Sequence, residues 1–312
     1  MPAAERAIIS SGDRAVTSPA HDHCATVLPM TTAHHPNPTI SEGSKTMTTW
    51  EFPAPGPITL EARLPAGSIT VHAEPVTTAT VSLTSAHAGK RGDELIAAAT
   101  VELAAGTLTV TVPDRVRLLS STPLDLVVRL PLGSSCVLNA ASADVRCSGE
   151  LGSLDARTAS GDVTVERTAG QVSINTASGD VRLDDAAGAV QVSTASGDTG
   201  IGRAGGDVTV NSASGDLTIG SAEGSAKVRS ASGDVRIDRI TAGRGEVTTV
   251  SGDVRIAVPA GIGVYLDLSA MTGDVSSDLE PADSDSEAGL SLHCRSVSGD
   301  VRVVRAANAT AG

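Results

Sequence analysis

Carboxylates recur in this sequence directly after glycine, at intervals of 18 or 19 residues. The pairs are Gly161 and Asp162, Gly179 and Asp180, Gly197 and Asp198, Gly215 and Asp216, Gly233 and Asp234, and Gly252 and Asp253. Calcium binds carboxylate oxygens, so a stack of aspartates has the right chemistry for a cation site. However, calcium takes about six to eight oxygens, and one aspartate per turn supplies too few. We therefore expect these residues to form a structural turn ladder, with no catalytic residue, metal or cofactor.

A second acidic group lies in the stretch "DLEPADSDSEAG" at 278–289. Asp283, Asp285 and Glu287 alternate there like half of an EF-hand calcium loop. The glycine that such a loop needs at its sixth position is replaced by Ala288, and Gly289 comes one residue late. These three residues are therefore only weak metal candidates, and we expect a solvated insertion between repeats.

Histidines cluster in the first 46 residues, which show no hydrophobic period. His21, His23, His34 and His35 have ligating side chains, but their surroundings cannot bury a core to fix them. Strand-like alternation begins at Met47, with "MTTWEFPAPGPITLEARLPAG". We expect residues 1–46 to be disordered, or to be a non-native extension upstream of a true start at Met47.

The overall composition excludes some functions and restricts the core. The formal net charge of −13 argues against a nucleic-acid partner, because binding phosphates requires a basic surface. Trp50, Phe52 and Tyr265 are the only aromatic residues among 312. A core built from Val, Ile, Leu and Ala favours thin, flat layers.

The four cysteines, Cys24, Cys136, Cys147 and Cys294, show neither metal-ligand nor CxxC spacing. They are too scattered for a disulfide framework, so we expect buried, reduced thiols. No apolar run is long enough for a membrane-spanning helix, and the N-terminus lacks the apolar region of a signal peptide. These features predict a cytoplasmic protein.

A nine-residue period organises the chain from Gly152 to Gly233, where glycine recurs at every ninth position. Two and four residues after each glycine the side chain is usually Val, Ile or Leu, between polar neighbours. This alternation is typical of a half-buried strand. The segment TASGD recurs every 18 residues, so two strands and two different corners make one coil. The sequence therefore predicts an all-β protein, a right-handed parallel β-solenoid of about 18 residues per rung.

The TASGD corner predicts a turn whose glycine has positive φ, with Ser and Asp bonding the amides that the turn leaves unpaired. We expect the alanine before the serine to face the tight inner side of the corner. In several rungs an arginine follows two residues after the aspartate and should offset its charge. The expected pairs are Asp144 and Arg146, Asp180 and Arg182, Asp234 and Arg236, Asp253 and Arg255, and Asp300 and Arg302.

These patterns divide the chain into four parts. Residues 47–131 are expected to form a small β-rich cap with one short helix, and residues 132–306 the solenoid. Residues 290–306 should supply the last rungs, and residues 307–312 a disordered tail. The tripeptide RGD at 91–93 matches a cell-attachment motif, but we expect it to open the helix Asp93–Ala99.

In its order of parts, the chain resembles the bacterial putative adhesin domain family, a group of uncharacterised β-strand-repeat proteins that is widespread in actinobacteria. The resemblance rests on the opening β-unit "FPAPGPITLEARLPAGSITVHAEP", on "PLDLVVRLPLGSS" after the predicted helix, and on the repeated GD-V-x-[VIL]. It covers about residues 47–306 and implies the solenoid fold. The family name implies adhesion, and the family supplies no functional residues to transfer.

Three functions are consistent with these features, and none of them is enzymatic. The first is a scaffold that presents a repetitive polar surface to a protein partner. The alternative is a self-assembling, cytoskeletal-like β-helical protein that associates through its terminal rungs, and a second alternative is a surface adhesin. Capping of the terminal rungs distinguishes the first two, because an open rung offers a strand edge for pairing.

Overall fold

The structure, a computed structural model, describes residues 47–85, 90–113, 122–279 and 289–306, together with the backbone of Thr39–Ser41. Several sequence predictions fall outside these ranges: the histidine-rich segment with Cys24, the acidic residues Asp283, Asp285 and Glu287, and the tail at 307–312.

The N-terminal part combines seven strands with the only helix of the described ranges. These elements are β1 (Thr39–Ser41), β2 (Met47–Pro53), β3 (Thr59–Glu74), β4 (Thr78–Ser85), α1 (Lys90–Ala97), β5 (Thr100–Ala104), β6 (Thr107–Thr111) and β7 (Leu124–Pro131). The helix begins at Lys90 rather than at the expected Asp93, so the RGD tripeptide lies inside its first turn. Asp93 is still close enough to the N-terminus for a favourable interaction with the helix dipole. No helix in these ranges is long and apolar enough to cross a membrane.

Parallel stacking begins inside this N-terminal part. The next strand, β8 (Ser135–Leu151), pairs with β3 in parallel over Thr59–His72. On its other side, β3 is parallel to β6 and β7. Antiparallel strands then close this end of the molecule, because β4 pairs with β7 and β2 pairs with β4. The predicted boundary between 131 and 132 is therefore crossed by a continuous parallel ladder.

The remaining strands form the solenoid, in which each strand pairs with the strand one coil away. They are β9 (Leu154–Ser160), β10 (Val163–Thr168), β11 (Val172–Ser178), β12 (Val181–Ala186), β13 (Val190–Ser196), β14 (Thr199–Ala204), β15 (Val208–Ser214), β16 (Leu217–Ala222), β17 (Ala226–Ser232), β18 (Val235–Ile237), β19 (Gly243–Ser251), β20 (Val254–Val258), β21 (Val264–Thr272), β22 (Val275–Ser277), β23 (Leu290–Ser298) and β24 (Val301–Arg305). Val163 pairs with Val181, 18 residues later. The prediction of an all-β parallel solenoid with 18 residues per rung is confirmed.

The core is a column of alternate side chains from every rung. In β12, Val181 and Leu183 are buried and Arg182 between them is exposed, as period-two alternation requires. Cys136, Cys147 and Cys294 are buried, unpaired thiols in this core, as expected. Burial raises the pKa of Cys147 and of Cys294 to about 12, so both thiols are protonated at neutral pH.

The last rungs do not follow chain order. β23 pairs with β19 on one side and with β21 on the other, while β24 lies between β20 and β22. The prediction that residues 290–306 end the solenoid is therefore wrong, because the terminal rung is β21 and β22. Of the two second strands, β24 carries the more apolar inward side chains. Val303 faces the core in β24, whereas its partner in β22 is Ser277, whose hydroxyl remains exposed at the end of the stack.

Candidate functional site

The repeated corner requires glycine for two reasons. Gly161, Gly179, Gly197, Gly215, Gly233 and Gly252 all have φ between 114° and 134°, a region that other residues rarely adopt. A Cβ on Gly179 would also lie 2.2 Å from the carbonyl oxygen of Gly161 in the preceding rung. Backbone strain and the close approach of neighbouring rungs therefore both fix this position.

The aspartate after each corner glycine joins one rung to the next. Its Oδ1 accepts a hydrogen bond from the backbone amide of the corresponding aspartate in the following rung. The distances are 3.2 Å from the Asp162 amide to Asp144, 3.0 Å from Asp180 to Asp162, 2.8 Å from Asp198 to Asp180, 2.8 Å from Asp216 to Asp198, 2.9 Å from Asp234 to Asp216, and 2.8 Å from Asp253 to Asp234. We name this column the aspartate ladder. Its carboxylates accept hydrogen bonds from amides of the neighbouring rung. The sequence had instead predicted hydrogen bonds to amides of the same turn.

The aspartate ladder follows the spatial order of the rungs rather than chain order. The Asp300 amide donates to Asp253 across 47 residues, and the Asp274 amide donates to Asp300, both at 2.8 Å. The carboxylate of Asp274 is the end of the column and accepts no such amide from the described residues. The ladder thus has a complete structural role up to the terminal rung. No group of three or more potential metal ligands occurs among the residues that the structure describes.

The arginines do not neutralise this ladder as predicted. Only Arg146 reaches its expected partner Asp144, at 3.5 Å. Arg182 pairs with Asp184 and Arg236 with Asp238 instead. The other two expected pairs are also replaced or missing: Arg302 bonds Asp278, and Arg255 has no ion pair among the described residues. The ladder carboxylates turn along the stack to reach amides, so Arg182 and Arg236 pair with the carboxylate two residues further along their own chain segment.

The alanine of the TASGD corner faces solvent, which contradicts the sequence prediction. Ala159, Ala177, Ala195, Ala213 and Ala231 are all exposed. The alanines at the alternate corner, Ala186, Ala204 and Ala222, are fully buried, so the expected inward position applies only to them. The exposed column continues through larger apolar residues, with Val250 53%, Val297 43% and Met271 82% exposed. We name the whole column the alanine stripe.

A groove of about 910 Å³ runs along the alanine stripe. The strand residues just before each corner form its polar wall. This wall consists of Asn139, Arg157, Asn175, Ser193, Asn211 and Arg229, stacked in register over six rungs. At about 4.8 Å per rung, the five alanines span roughly 20 Å. A smaller depression of about 330 Å³ adjoins the groove at Asn139 and Ala140.

The polar groups lining the groove differ in whether they are already bonded. The Thr176 hydroxyl donates to the carbonyl of Ser178 at 3.1 Å, and Thr194 does the same to Ser196 at 3.0 Å. These hydroxyls are therefore already hydrogen-bonded to carbonyl groups of the corner. In contrast, the side-chain amides of Asn175 and Asn211 have no hydrogen-bond partner among the described residues, and each offers two donors and an acceptor.

The second strand of several rungs presents a different surface, on which arginines pair with neighbouring carboxylates. Arg203 contacts Asp185 at 2.8 Å and Glu223 at 2.9 Å, which links three rungs. Hydrogen bonds to these two carboxylates raise the pKa of the Arg203 guanidinium. The groove, by comparison, combines exposed methyl groups with unpaired amides, and it is the candidate binding site of this protein.

The groove was not predicted, although the sequence contains a signal for it. The alanine position accepts Val250, Val297 and Met271, and residues of that size do not fit the tight inner side of a corner. The recurrence of Asn at 139, 175 and 211, on every second rung, was a further indication.

Comparison with known proteins gives a family and several distant structures. A family model described as Toastrack DUF4097 matches residues 58–311. A crystal structure named a putative adhesin, from Bacteroides fragilis NCTC 9343, is 13% identical with a TM-score of 0.45, covering 82% of this chain and 96% of that chain. A second putative adhesin, from Parabacteroides distasonis ATCC 8503, is 13% identical with a TM-score of 0.34, at coverages of 82% and 96%.

A third solved structure, also from Parabacteroides distasonis ATCC 8503, is named a putative lipid binding protein. It is 10% identical with a TM-score of 0.32, covering 83% of this chain and 93% of that chain. No curated protein matches the chain. The expected actinobacterial affiliation stays a prediction, because these structures come from other bacteria.

Proposed function

The chain belongs to the Toastrack DUF4097 family, and we propose that within it this protein is a non-enzymatic scaffold that binds a protein partner in the groove along its alanine stripe. The observation that carries this proposal is the pairing of exposed methyl groups with unbonded asparagine amides. An apolar strip with adjacent donors and acceptors matches the composition of protein interfaces, which combine apolar contact with hydrogen bonds.

The partner that best fits such a groove is an extended or helical segment lying parallel to the solenoid axis. Small alanine side chains let a partner backbone approach closely. The amides of Asn175 and Asn211 lie two rungs apart, about 10 Å, and can each bond a peptide group. The rigid stack holds the polar wall and the alanine stripe in place before binding, so little conformational entropy is lost there.

A scaffold also agrees with the distribution of ionisable groups in the described residues. The aspartate ladder is regular and bonded to backbone amides, whereas catalytic sites typically bring a few titratable groups together in one asymmetric cluster. We further propose that the protein acts in the cytoplasm, where the buried thiols Cys136, Cys147 and Cys294 would remain reduced.

The proposal can be tested by photo-crosslinking in the native host. A photoreactive amino acid replaces Ala195 in the middle of the groove, and in a matched control it replaces Thr218, which is exposed on the second strand of a neighbouring rung. We expect a discrete crosslinked protein with the Ala195 probe and not with the Thr218 probe. Mass spectrometry then identifies the partner and the contacting segment.

The identity of the crosslinked species distinguishes the alternatives. A protein of the same compartment supports the scaffold, and a protein of another cell supports the surface adhesin. Equal crosslinking from Ala195 and Thr218, or crosslinking to no protein from either, would contradict a binding role for the groove.

A further inference from the structure

The terminal rung of the solenoid, β21 and β22, leaves core positions uncovered. Val275 occupies the same inward position as Val301 in the adjacent rung, because the two residues pair in register. Val301 is fully buried, whereas Val275 is 46% exposed. The difference arises because the described residues place a rung on each side of Val301 and only one beside Val275.

The inward residues of strand β21 are likewise more exposed than their partners in the adjacent rung. In β21, Val264 and Leu266 pair with Leu290 and Leu292, which are at most 1% exposed. Val264 and Leu266 themselves are only partly buried. The outer side chain of Tyr265 is 58% exposed at the same edge. The end of the stack is therefore an apolar surface with the outline of one rung.

Among the described residues, the backbone of the terminal rung has no pairing partner on this side. Within the stack, the amide of Val254 donates to the Asp300 carbonyl, and the amide of Val301 donates to the Asp274 carbonyl. The equivalent amide in the last rung is that of Val275, and no described residue accepts it. Strand edges of this kind are usually protected by lysine, proline or a bulge. Residues 264–277 contain no lysine, arginine or proline.

The opposite end of the molecule is built differently. There β4 runs antiparallel to β7 and β2 runs antiparallel to β4, with β1 antiparallel to β2. This end lacks the two-stranded parallel outline of the terminal rung. Head-to-tail stacking, which would extend into a filament, would therefore join two unlike surfaces.

We propose that the terminal rung is a self-association surface, on which two copies of this chain meet tip to tip in a closed two-fold dimer. In such a dimer β21 of one copy pairs antiparallel with β21 of the other, and the inward rows of both copies form one continuous core. The surface is identical in both copies, so the contact closes on itself and stops at two chains.

The charge of Asp267 restricts the register of this pairing. Asp267 is outward-facing and contacts His293 Nδ1 at 3.1 Å. A two-fold axis at Asp267 would place two carboxylates opposite each other, which is unfavourable. An axis at Leu266 or Leu268 places Asp267 opposite Tyr265 or Ser269 and keeps inward residues opposite inward residues. We infer one of these two registers.

The mass of the full chain in solution tests the dimer, by light scattering from micromolar to millimolar concentration. We expect twice the 31.2 kDa chain mass. Val275→Lys and, independently, Val264→Lys should each give monomers, because either places a charge in the joined core. Thr218→Lys is the control, since Thr218 is exposed on β16, away from both the terminal rung and the alanine stripe. Thermal melting checks that each variant is folded.

A crosslink tests the two-fold geometry separately. In a Cys24→Ser, Cys294→Ala background, which also removes the thiol that pairs in register with position 268, Leu266→Cys or Leu268→Cys at the axis should form a disulfide with its own copy in the partner, since opposed Cα atoms lie about 4.5–5.5 Å apart. A folded wild-type chain that stays monomeric throughout would overturn the proposal. So would a dimer that survives both terminal-rung lysines, or growth into open-ended filaments.

Discussion

The carboxylate of Asp198 accepts a hydrogen bond from the backbone amide of Asp216 at 2.8 Å. The two residues are 18 apart in sequence and adjacent in the stack. Repeated along the solenoid, this contact makes the most regular feature of the sequence a connection between rungs. It also keeps the corner on one side of the groove in a fixed geometry.

Removal of one ladder carboxylate should destabilise the fold measurably. We expect Asp198→Ala to lower the free energy of unfolding by about 0.5–1.5 kcal/mol, because the solvent-exposed Asp216 amide loses its acceptor in the protein. Asp198→Asn should cost less, since its side-chain oxygen can still accept the bond. Urea denaturation measures both. Asp184→Ala is the control, because Asp184 makes only an exposed pair with Arg182, worth about 0–1 kcal/mol. Equal losses from all three variants would contradict the ladder.

The corner glycine should be far less replaceable than a strand glycine. Gly179→Val forces a β-branched residue to φ 129°, which costs about 1–3 kcal/mol in backbone strain before the clash with Gly161 is added. Gly200→Val is the reference, because a Cβ there has no contact closer than 3.9 Å. Gly202 is unsuitable as a reference, since its Cβ would lie 2.3 Å from the Asp184 carbonyl. Similar melting temperatures for the Gly179 and Gly200 variants would contradict the corner assignment.

Two threonines in one rung should respond oppositely to the same substitution. Thr199 occupies an inward position between Val181 and Leu217, and its buried hydroxyl has no hydrogen-bond partner in the part of the chain that the structure describes. Thr199→Val should therefore stabilise the protein by about 1 kcal/mol. Thr194→Val should destabilise it by about 0.5–1.5 kcal/mol, because the Thr194 hydroxyl bonds the Ser196 carbonyl. Thermal melting of the two variants tests this prediction. A lower melting temperature in both variants would show that the Thr199 hydroxyl has a hydrogen-bond partner.

The buried thiols should make stability fall at alkaline pH. The pKa of Cys294 is raised from 9.0 to about 12 in the fold, first by burial and then by the charge of Asp267. The protonated thiol is thus favoured in the folded state. Its stabilisation is complete below pH 9 and is lost as the pH rises towards 12, because only the unfolded chain ionises in that window.

Cys294→Val isolates this contribution. Between pH 9 and 12, wild type should lose about 1.4 kcal/mol more per pH unit than the variant, since one titrating thiol is absent from the variant. Urea unfolding at several pH values measures the difference. Parallel pH profiles for the two proteins would mean that Cys294 ionises equally in the folded and unfolded states.

Much of the fold was predictable from the sequence because it depends on local periodicity. The alternation of Val181, Arg182 and Leu183 sets which side chains face inward, and the recurrence of TASGD sets the length of a rung. The order of the last rungs was not predictable, because β21 and β23 have similar patterns and only packing against both neighbours places β23 between β19 and β21.

The candidate site was harder to predict from the sequence than the fold. Arg182 and Arg236 pair with other carboxylates than predicted, because the ladder carboxylates point along the stack. The residue spacing in the sequence does not reveal this orientation. The outward direction of Ala177 and Ala195 likewise depends on the shape of the corner. Once the coil is known, the stacking of Asn139, Asn175 and Asn211 follows from their 36-residue separation.

The affinity of the crosslinked partner for groove variants is the most direct test of the binding role. Ala195→Arg would fill the middle of the groove, and Thr218→Arg adds the same side chain to the other strand as a control. With the purified partner in isothermal titration calorimetry, we expect Ala195→Arg to weaken binding at least about tenfold, or 1.4 kcal/mol. Thr218→Arg should bind like wild type. Unchanged affinity for a folded Ala195→Arg variant would contradict the groove as the binding site.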